Sequence, residues 1–387
     1  MKTLKNKLET LCVFRQFLSD PVIAALCAYL EAPTNSAYAG FVAALYETNG
    51  GNISEHIKEL CENSCNVYVT TLGKGEEAPD HIYYSLLSEL DILQEVAELT
   101  KDKLCRALAY KDFLPDFVNT KLQLKDLYLH RAKNIKKYGY GIYAKYRMFY
   151  VDAQDRIIPV HNPDRTELSS LVDYQRERQI IVDNTKALLA GKPAANILLT
   201  GDAGTGKSST VKAVANALWQ EGLRIIEIRK DQLRAIPEIL DELSTNPLKF
   251  VLFIDDLSFL KDDDNFNALK AVLEGSVTAK SSNVVIYATS NRRHIIKEKF
   301  SDREGDDIHR NDTMQELISL SERFGIHVTF SKPNKETFLH IVHHLAEKSG
   351  LDTPKAELDA MAERFALERG GRSARLARQF VDGLLSR

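Results

Sequence analysis

Cysteine is scarce in this chain, with five among 387 residues: Cys12, Cys27, Cys61, Cys65 and Cys105. All lie in the first third, and the number is odd. Such a set excludes a disulfide framework of the kind that staples small secreted domains, and it fits a reduced compartment. Cys61 and Cys65 have no second pair nearby, which argues against a structural zinc site. Excess charge is also missing. Against 51 Lys and Arg stand 54 Asp and Glu, for a net charge of −3. Bulk electrostatics therefore makes no case for nucleic acid; only a local basic patch could. No apolar run approaches the length of a membrane-spanning helix. Lys2, Lys5 and Lys7 stand near the N-terminus, but Glu9 and Arg15 interrupt the apolar stretch that follows, unlike a secretory leader. The expectation is a cytoplasmic protein with no membrane segment. The apolar fraction of 44% and charged fraction of 27% are ordinary, and the length suffices for two or three domains.

What the chain does contain is organised around residues 196–210, N-I-L-L-T-G-D-A-G-T-G-K-S-S-T. The apolar run Ile197–Leu199 predicts a buried strand, and the residues from Lys207 onward predict a helix. Between them, Gly201, four residues, then Gly206-Lys207-Ser208 form the phosphate-binding P-loop pattern. The glycines let successive backbone N–H groups of Gly201, Asp202, Ala203, Gly204, Thr205, Gly206, Lys207, Ser208 and Ser209 face one concave nest. The helix start adds roughly half a positive charge. Lys207 can reach the β- and γ-phosphates, and the Ser208 hydroxyl can ligate Mg²⁺. A nucleoside triphosphate with Mg²⁺ is thus the expected ligand.

Upstream, residues 1–150 are expected to form a mainly helical domain. Leu4, Leu8, Leu11 and Phe14 repeat at helical spacing, as do Val22, Ile23, Leu26 and Leu30. Asp20-Pro21 marks a helix start, and Ser54 can cap another. Residues 66–72 alternate like a strand, and one long helix is expected from Asp80 to about Ala109. Residues 121–150 are basic and aromatic, with Lys121, Lys125, Arg131, Lys133, Lys136, Lys137, Lys145 and Arg147 among seven aromatic residues. Such a stretch can bind nucleic acid. The favoured reading is a solvated helix face followed by an aromatic strand or hairpin after Gly139–Gly141, with Tyr138 and Tyr140 as strand formers. Residues 151–170, punctuated by Pro159 and Asn162-Pro163, read as a linker.

Downstream, strands and helices alternate. Strands are expected at 223–228, 249–254, 283–288 and 325–330, with helices between, which predicts a parallel α/β sheet. Residues 335–348, 355–369 and 372–385 read as helices. The run Lys249–Ile254 ends in Asp255-Asp256, the Walker B pattern. A carboxylate at the carboxyl end of a parallel strand sits where ligands bind. Asp255 is placed to hold Mg²⁺, and Asp256 to polarise the attacking water. Asp262-Asp263-Asp264 reads as an acidic surface loop.

From Leu168 to Arg387 the chain resembles the AAA+ ATPases. Ala288-Thr289-Ser290-Asn291-Arg292 is similar to the family's sensor 1 segment, which implies that Asn291 helps position the water. Ser321-Glu322-Arg323-Phe324-Gly325 resembles the segment that carries the arginine finger, making Arg323 the candidate. Gly370-Gly371-Arg372-Ser373-Ala374-Arg375 resembles sensor 2 of the helical lid, with Arg372 favoured and Arg375 the alternative. Leu171, Val172 and Tyr174 match the segment that contacts adenine. More narrowly, the Gly204–Ser209, Asp255–Phe259, Tyr287–His294 and Gly370–Phe380 stretches resemble an uncharacterised bacterial family of AAA+-type ATP-binding proteins, domain of unknown function 815. The Walker B motif ends Asp-Asp where most AAA+ ATPases have Asp-Glu, one methylene longer.

The resemblance implies a P-loop NTPase fold: a five-stranded parallel sheet in an α/β domain at 171–332, then a helical lid at 333–387. It implies a Mg-ATP hydrolase acting on an unknown protein client, assembled as a homo-oligomer through Arg323. Two other readings stand beside it. One is a nucleotide-gated binding module with little turnover. The other is a nucleic-acid loader that uses the Lys121–Arg147 stretch, which is not favoured.

Overall fold

The computed structural model describes residues 2–106, 108, 110, 112–257, 264–274, 282–291 and 322–386. The chain divides into two compact units. One comprises Met1–Lys145 with Asn246–Leu248, and the other Tyr146–Thr245 with Lys249–Arg387.

The first unit is helical, as expected. It contains α1 (Lys2–Glu9), α2 (Pro21–Glu31), α3 (Asn35–Asn49), α4 (Ile53–Glu62), α5 (Val67–Gly73), α6 (Asp80–Ala97), α7 (Lys101–Cys105), α8 (Leu124–Lys133), α9 (Ile135–Tyr138) and α10 (Ile142–Lys145). Leu8, Phe14, Tyr29, Phe41, Leu86 and Leu90 are among the residues of its buried core. Caps decide where the helices begin. The Asp20 carboxylate accepts the N–H groups of Val22 and Ile23 at 3.0 and 3.1 Å, the arrangement expected from Asp-Pro.

Three expectations change here, each through a cap. Residues 66–72 are helical rather than extended, because the Asn66 side chain accepts the N–H groups of Tyr68 and Val69. That local cap outweighs the β-branched alternation. Helix α4 is capped by Asn52, whose oxygen accepts from Ser54 and Glu55, while the Ser54 hydroxyl donates to the Ala97 carbonyl at 2.9 Å. The long helix from Asp80 stops at Ala97, and Thr100 caps a separate short helix, α7.

The connection between α1 and α2 carries backbone donors that no helix satisfies. The buried Glu89 carboxylate accepts the N–H groups of Cys12, Val13 and Phe14 at 2.9, 3.0 and 2.9 Å, and the Cys12 thiol donates to it as well. His56 spans Asp20 and Asn49, with ring nitrogens 2.8 and 2.7 Å from their side-chain oxygens. All five cysteines are free.

The second unit holds β1 (Met148–Val151), β2 (Ile157–Pro159), α11 (Gln175–Leu189), β3 (Ile197–Gly201), α12 (Lys207–Leu218), β4 (Leu223–Ile228), α13 (Ile236–Ser244), β5 (Lys249–Ile254), α14 (Asp264–Glu274), β6 (Val284–Ser290) and β7 (Ile326–Phe330). The described strands form one sheet in the order β2-β1-β4-β5-β6-β3-β7. Every pairing is parallel except β1 with β2. The five expected strands are all present in parallel array. Among the described residues the sheet has seven strands rather than five, because the β1–β2 hairpin adds beside β4.

That hairpin also revises the sequence reading. The aromatic run does not become a strand at Tyr138 and Tyr140. Gly139 and Gly141, with φ of 69° and 60°, interrupt short helices, and the strand begins only at Met148. Residues 157–159 of the expected linker belong to the sheet. Among the strands, β5 is buried from Phe250 to Ile254 on both faces, as a central parallel strand covered by helices must be.

The tail forms α15 (Lys335–Lys348), α16 (Lys355–Glu368) and α17 (Ala374–Leu385). Phe338, Ile341, Val342, Leu358, Ala377 and Phe380 belong to their shared core. Asn334 and Ser373 cap α15 and α17. Among the described residues no helix is long and apolar enough to cross a membrane.

Two outcomes follow for the first unit. Glu89→Ala leaves three backbone donors unmatched and is expected to cost about 3 kcal/mol in urea unfolding, with Glu89→Gln losing less because its amide oxygen still accepts. Burial alone would push the Asp20 carboxyl up, but the His56 hydrogen bond and the two helix N–H groups bring it below its ordinary value. A depressed carboxylate stabilises above its unfolded pKa, and that contribution is lost as pH falls through its folded value. The urea midpoint is therefore expected to drop below about pH 4, and to drop less in Asp20→Asn. An identical drop in both proteins would assign it to other carboxylates.

Candidate functional site

Strand register assembles the site. In the parallel pairing of β5 with β6, Ile254 lies opposite Ala288, so Asp255 and Thr289 emerge side by side. In the pairing of β3 with β6, Thr200 lies opposite Ser290, which brings Asn291 beside the start of the glycine-rich loop. The carboxyl ends of three adjacent strands thus deliver their polar residues to one place.

The loop itself depends on two backbone conformations. Gly201 has φ of 143°, and a Cβ there would collide with the Phe330 carbonyl of β7. Gly206, with φ of 95°, forms the N-cap of α12. Lys207 follows and is only 5% exposed. Its ammonium donates to the carbonyls of Gly201 and Asp202 at 2.8 and 2.9 Å and to Asn291 Oδ1 at 3.0 Å. All three of its donors are therefore engaged. Burial pushes the Lys207 pKa down, while the charges of Asp255, Asp202 and Asp256 act in the opposite direction.

The carboxylates form a second chain of hydrogen bonds. Asp255 Oδ1 accepts from the Ser208 hydroxyl at 2.6 Å and from the Thr289 hydroxyl at 2.5 Å. Asp256 Oδ1 accepts from Asn291 Nδ2 at 2.7 Å. Asp256 has φ of 54°, a left-handed conformation that costs a non-glycine residue about 1–3 kcal/mol and clusters at functional sites. Ser208 and Asp255 present adjacent hydroxyl and carboxylate oxygens, the hard donors that magnesium takes.

Above the loop lies a cavity of about 680 Å³. Ala203 to Ser209, Asp255, Asp256 and Asn291 line it, as do Leu171, Val172 and Tyr174 from the segment before α11. Tyr174 has φ of 53°; its hydroxyl donates to the Ser331 carbonyl at 2.5 Å, and its ring packs on Phe330. The three-helix tail closes over the same cavity with Arg375 and Arg378. The Arg375 N–H donates to the Gly204 carbonyl at 3.2 Å, so the tail is bonded directly to the phosphate loop.

Gly201 and Asp202 join the site through their carbonyls. Two candidate residues stand outside it. Arg372 does not line the cavity; its guanidinium makes two hydrogen bonds to Glu363, at 2.9 and 2.6 Å. Arg323 does not line it either and pairs with Glu274 at the end of α14, at 2.5 Å. Ser258, Phe259, Asp262, Asp263, Arg292 to His294 and Ser321 lie outside the described residues.

The family model described as "Protein of unknown function (DUF815)" matches residues 144–387, more than half of the chain. The chain belongs to the DUF815 family. By sequence, no curated protein matches it. Among solved structures it is similar to the Thermotoga maritima RuvB Holliday junction branch migration motor, with a TM-score of 0.39 and 16% identity. That match covers 57% of this chain and 64% of the RuvB chain, less than two thirds of its length. It is also similar to the Walker-type ATPase paby2304 of Pyrococcus abyssi, with a TM-score of 0.39 and 15% identity, covering 58% of this chain and 71% of that one.

In this DUF815 protein, the loop between β3 and α12, the acidic end of β5, the polar end of β6 and the helical tail meet around one cavity. Two residues escaped the sequence reading. Thr289 lies within the sensor-like segment, but its bonds to both Asp255 and Asp256 emerge only from strand register. Arg378 follows Arg375 by three residues on α17, a spacing that puts both on one face. Gly201→Ala is expected to lower the unfolding temperature by several degrees and to abolish nucleotide binding, since a side chain there requires β3 and β7 to part. Thermal unfolding with and without nucleotide measures both effects.

Proposed function

We propose that this DUF815 protein is a Mg-ATP hydrolase that couples nucleotide turnover to the remodelling of a protein client. One observation carries the reading. The buried Lys207 ammonium sits on two loop carbonyls and Asn291 at the base of a large cavity, beside the Ser208–Asp255 pair. A buried ammonium on neutral carbonyl acceptors is poised to exchange them for charged phosphate oxygens, which bind it more strongly.

The roles follow from placement. The loop N–H groups and the start of α12 hold the phosphates. Leu171, Val172 and Tyr174 receive the adenine. Ser208 and Asp255 would hold magnesium, which neutralises phosphate charge during phosphoryl transfer. Asp256 orients and polarises the attacking water, with Asn291 fixing its carboxylate. Arg375 and Arg378 are better placed than Arg372 to sense the phosphates from the lid; the position of Arg375 supports the alternative considered from sequence. Arg323, outside its own chain's cavity, serves a neighbouring subunit's site in a homo-oligomer. A finger supplied in trans is worth roughly 10³ to 10⁵ in rate in related phosphoryl-transfer systems. The protein is cytoplasmic in this reading.

A second reading has an observation of its own. The bond from Arg375 to the Gly204 carbonyl couples the lid to the loop without any chemistry, as a nucleotide-gated binding module would require. Turnover separates the two. ATP hydrolysis measured against protein concentration is expected to rise more steeply than linearly for the wild type. Lys207→Ala should lose about 10²-fold or more, and Arg323→Ala should stay low at all concentrations. Full activity of dilute Arg323→Ala would remove the trans finger. A wild type that binds ATP but turns over far below about 1 per second under assembled conditions would leave the gated module. Asp256→Asn is expected to bind ATP, fail to hydrolyse it and retain the client in a pull-down.

A further inference from the structure

We infer that Thr289 is a positioning residue that allows an aspartate, Asp256, to stand where a longer carboxylate would otherwise be needed. The inference rests on the hydrolase reading above and concerns the same site.

An aspartate at the end of β5 reaches one methylene less far than a glutamate. Displacements of about 1 Å in a reacting geometry can cost on the order of 10²-fold in rate. The structure places the compensation in the backbone. Asp256 leaves the strand in the left-handed region, with φ of 54°, and this turn re-aims its carboxylate toward Asn291. Aspartate and asparagine enter that region several times more readily than other side chains, glutamate included. The backbone and the side chain therefore select each other: the turn suits Asp, and Asp needs the turn.

Thr289 holds that turn from three sides. Its hydroxyl oxygen accepts the Asp256 N–H at 2.9 Å. Its hydroxyl proton goes to Asp255 Oδ1 at 2.5 Å. Its carbonyl accepts the Leu257 N–H at 2.7 Å. Thr289 is 2% exposed, so water cannot readily replace these bonds. One hydroxyl thus ties the metal-side carboxylate to the backbone of the water-side carboxylate. Because a hydroxyl is both donor and acceptor, serine can reproduce this pair of bonds and valine, of nearly the same shape, cannot. The register of β5 against β6 makes the contact unavoidable, since Asp255 and Thr289 each follow the paired residues Ile254 and Ala288.

The test compares Thr289→Val, Thr289→Ser and Asp256→Glu with the wild type in the full-length protein. Two readouts are taken: steady-state ATP turnover, and hydrogen exchange of the Asp256 amide without nucleotide. Thr289→Val is expected to lower kcat about 10²-fold and to speed Asp256 amide exchange at least tenfold. Its affinity for ATP in the absence of Mg²⁺ should stay within about threefold, because the Thr289 hydroxyl bonds to Asp255 and Asp256 rather than to the loop that holds the phosphates. Thr289→Ser should restore most of the turnover and the amide protection. Asp256→Glu should be slower than the wild type despite its longer reach. Wild-type kcat in Thr289→Val, or unchanged exchange at Asp256, overturns the inference alone. Faster turnover in Asp256→Glu also overturns it, because the turn would then offer no advantage to the shorter residue. A wild-type protein that hydrolyses no ATP overturns the inference together with the hydrolase reading.

Discussion

The desolvated ammonium of Lys207 is the constraint around which this site is built. A lysine that is 5% exposed must find acceptors or lose its charge. Two of its acceptors are carbonyls of the loop that carries it, and the third is the side chain of Asn291 from another strand. The loop is therefore shaped by the need to satisfy its own lysine. Phosphate oxygens would answer the same need with full negative charge, so the arrangement that holds the loop folded also suits the proposed ligand.

That arrangement depends on the sheet. Parallel strands in register bring their carboxyl ends to a common level, and β5, β6 and β3 are neighbours in that order. Asp255, Asp256, Thr289 and Asn291 meet because the pairing of Ile254 with Ala288 and of Thr200 with Ser290 leaves no other place for them. The strain at Asp256, with φ of 54°, is held by bonds to Thr289 and Asn291, in a region whose core strand is buried on both faces. The helical tail is tied to the same loop through a main-chain bond at Gly204.

Legibility varied along the chain for physical reasons. The five parallel strands and three tail helices were readable because their apolar runs and helical periods are unbroken and their breaks are marked by Gly, Pro or Asn. The β1–β2 hairpin was not, because Met148–Val151 is short and follows a basic, tyrosine-rich run whose Tyr138 and Tyr140 resemble a strand well before the real one begins. The region at 66–72 misled because one asparagine cap outweighs a run of β-branched residues. In the site, the loop and the two aspartates carry local signatures. Arg372 and Arg375 share the same local motif, and only the direction of α17 separates them: one meets Glu363, the other lines the cavity.

The amino-acid sequence by itself carried the phosphate-binding pattern on which the proposed chemistry rests. A glycine-rich turn between an apolar strand and a helix, with lysine and serine at its end, has one economical physical use, and contacts between near neighbours suffice to specify it. The tertiary structure decided what depends on strands distant in sequence. It chose which hydroxyl steadies the second aspartate, which arginines face the cavity, and that the sheet runs to seven strands among the described residues. Those outcomes follow from register and packing, which join residues tens of positions apart and leave no mark in the local pattern of either partner.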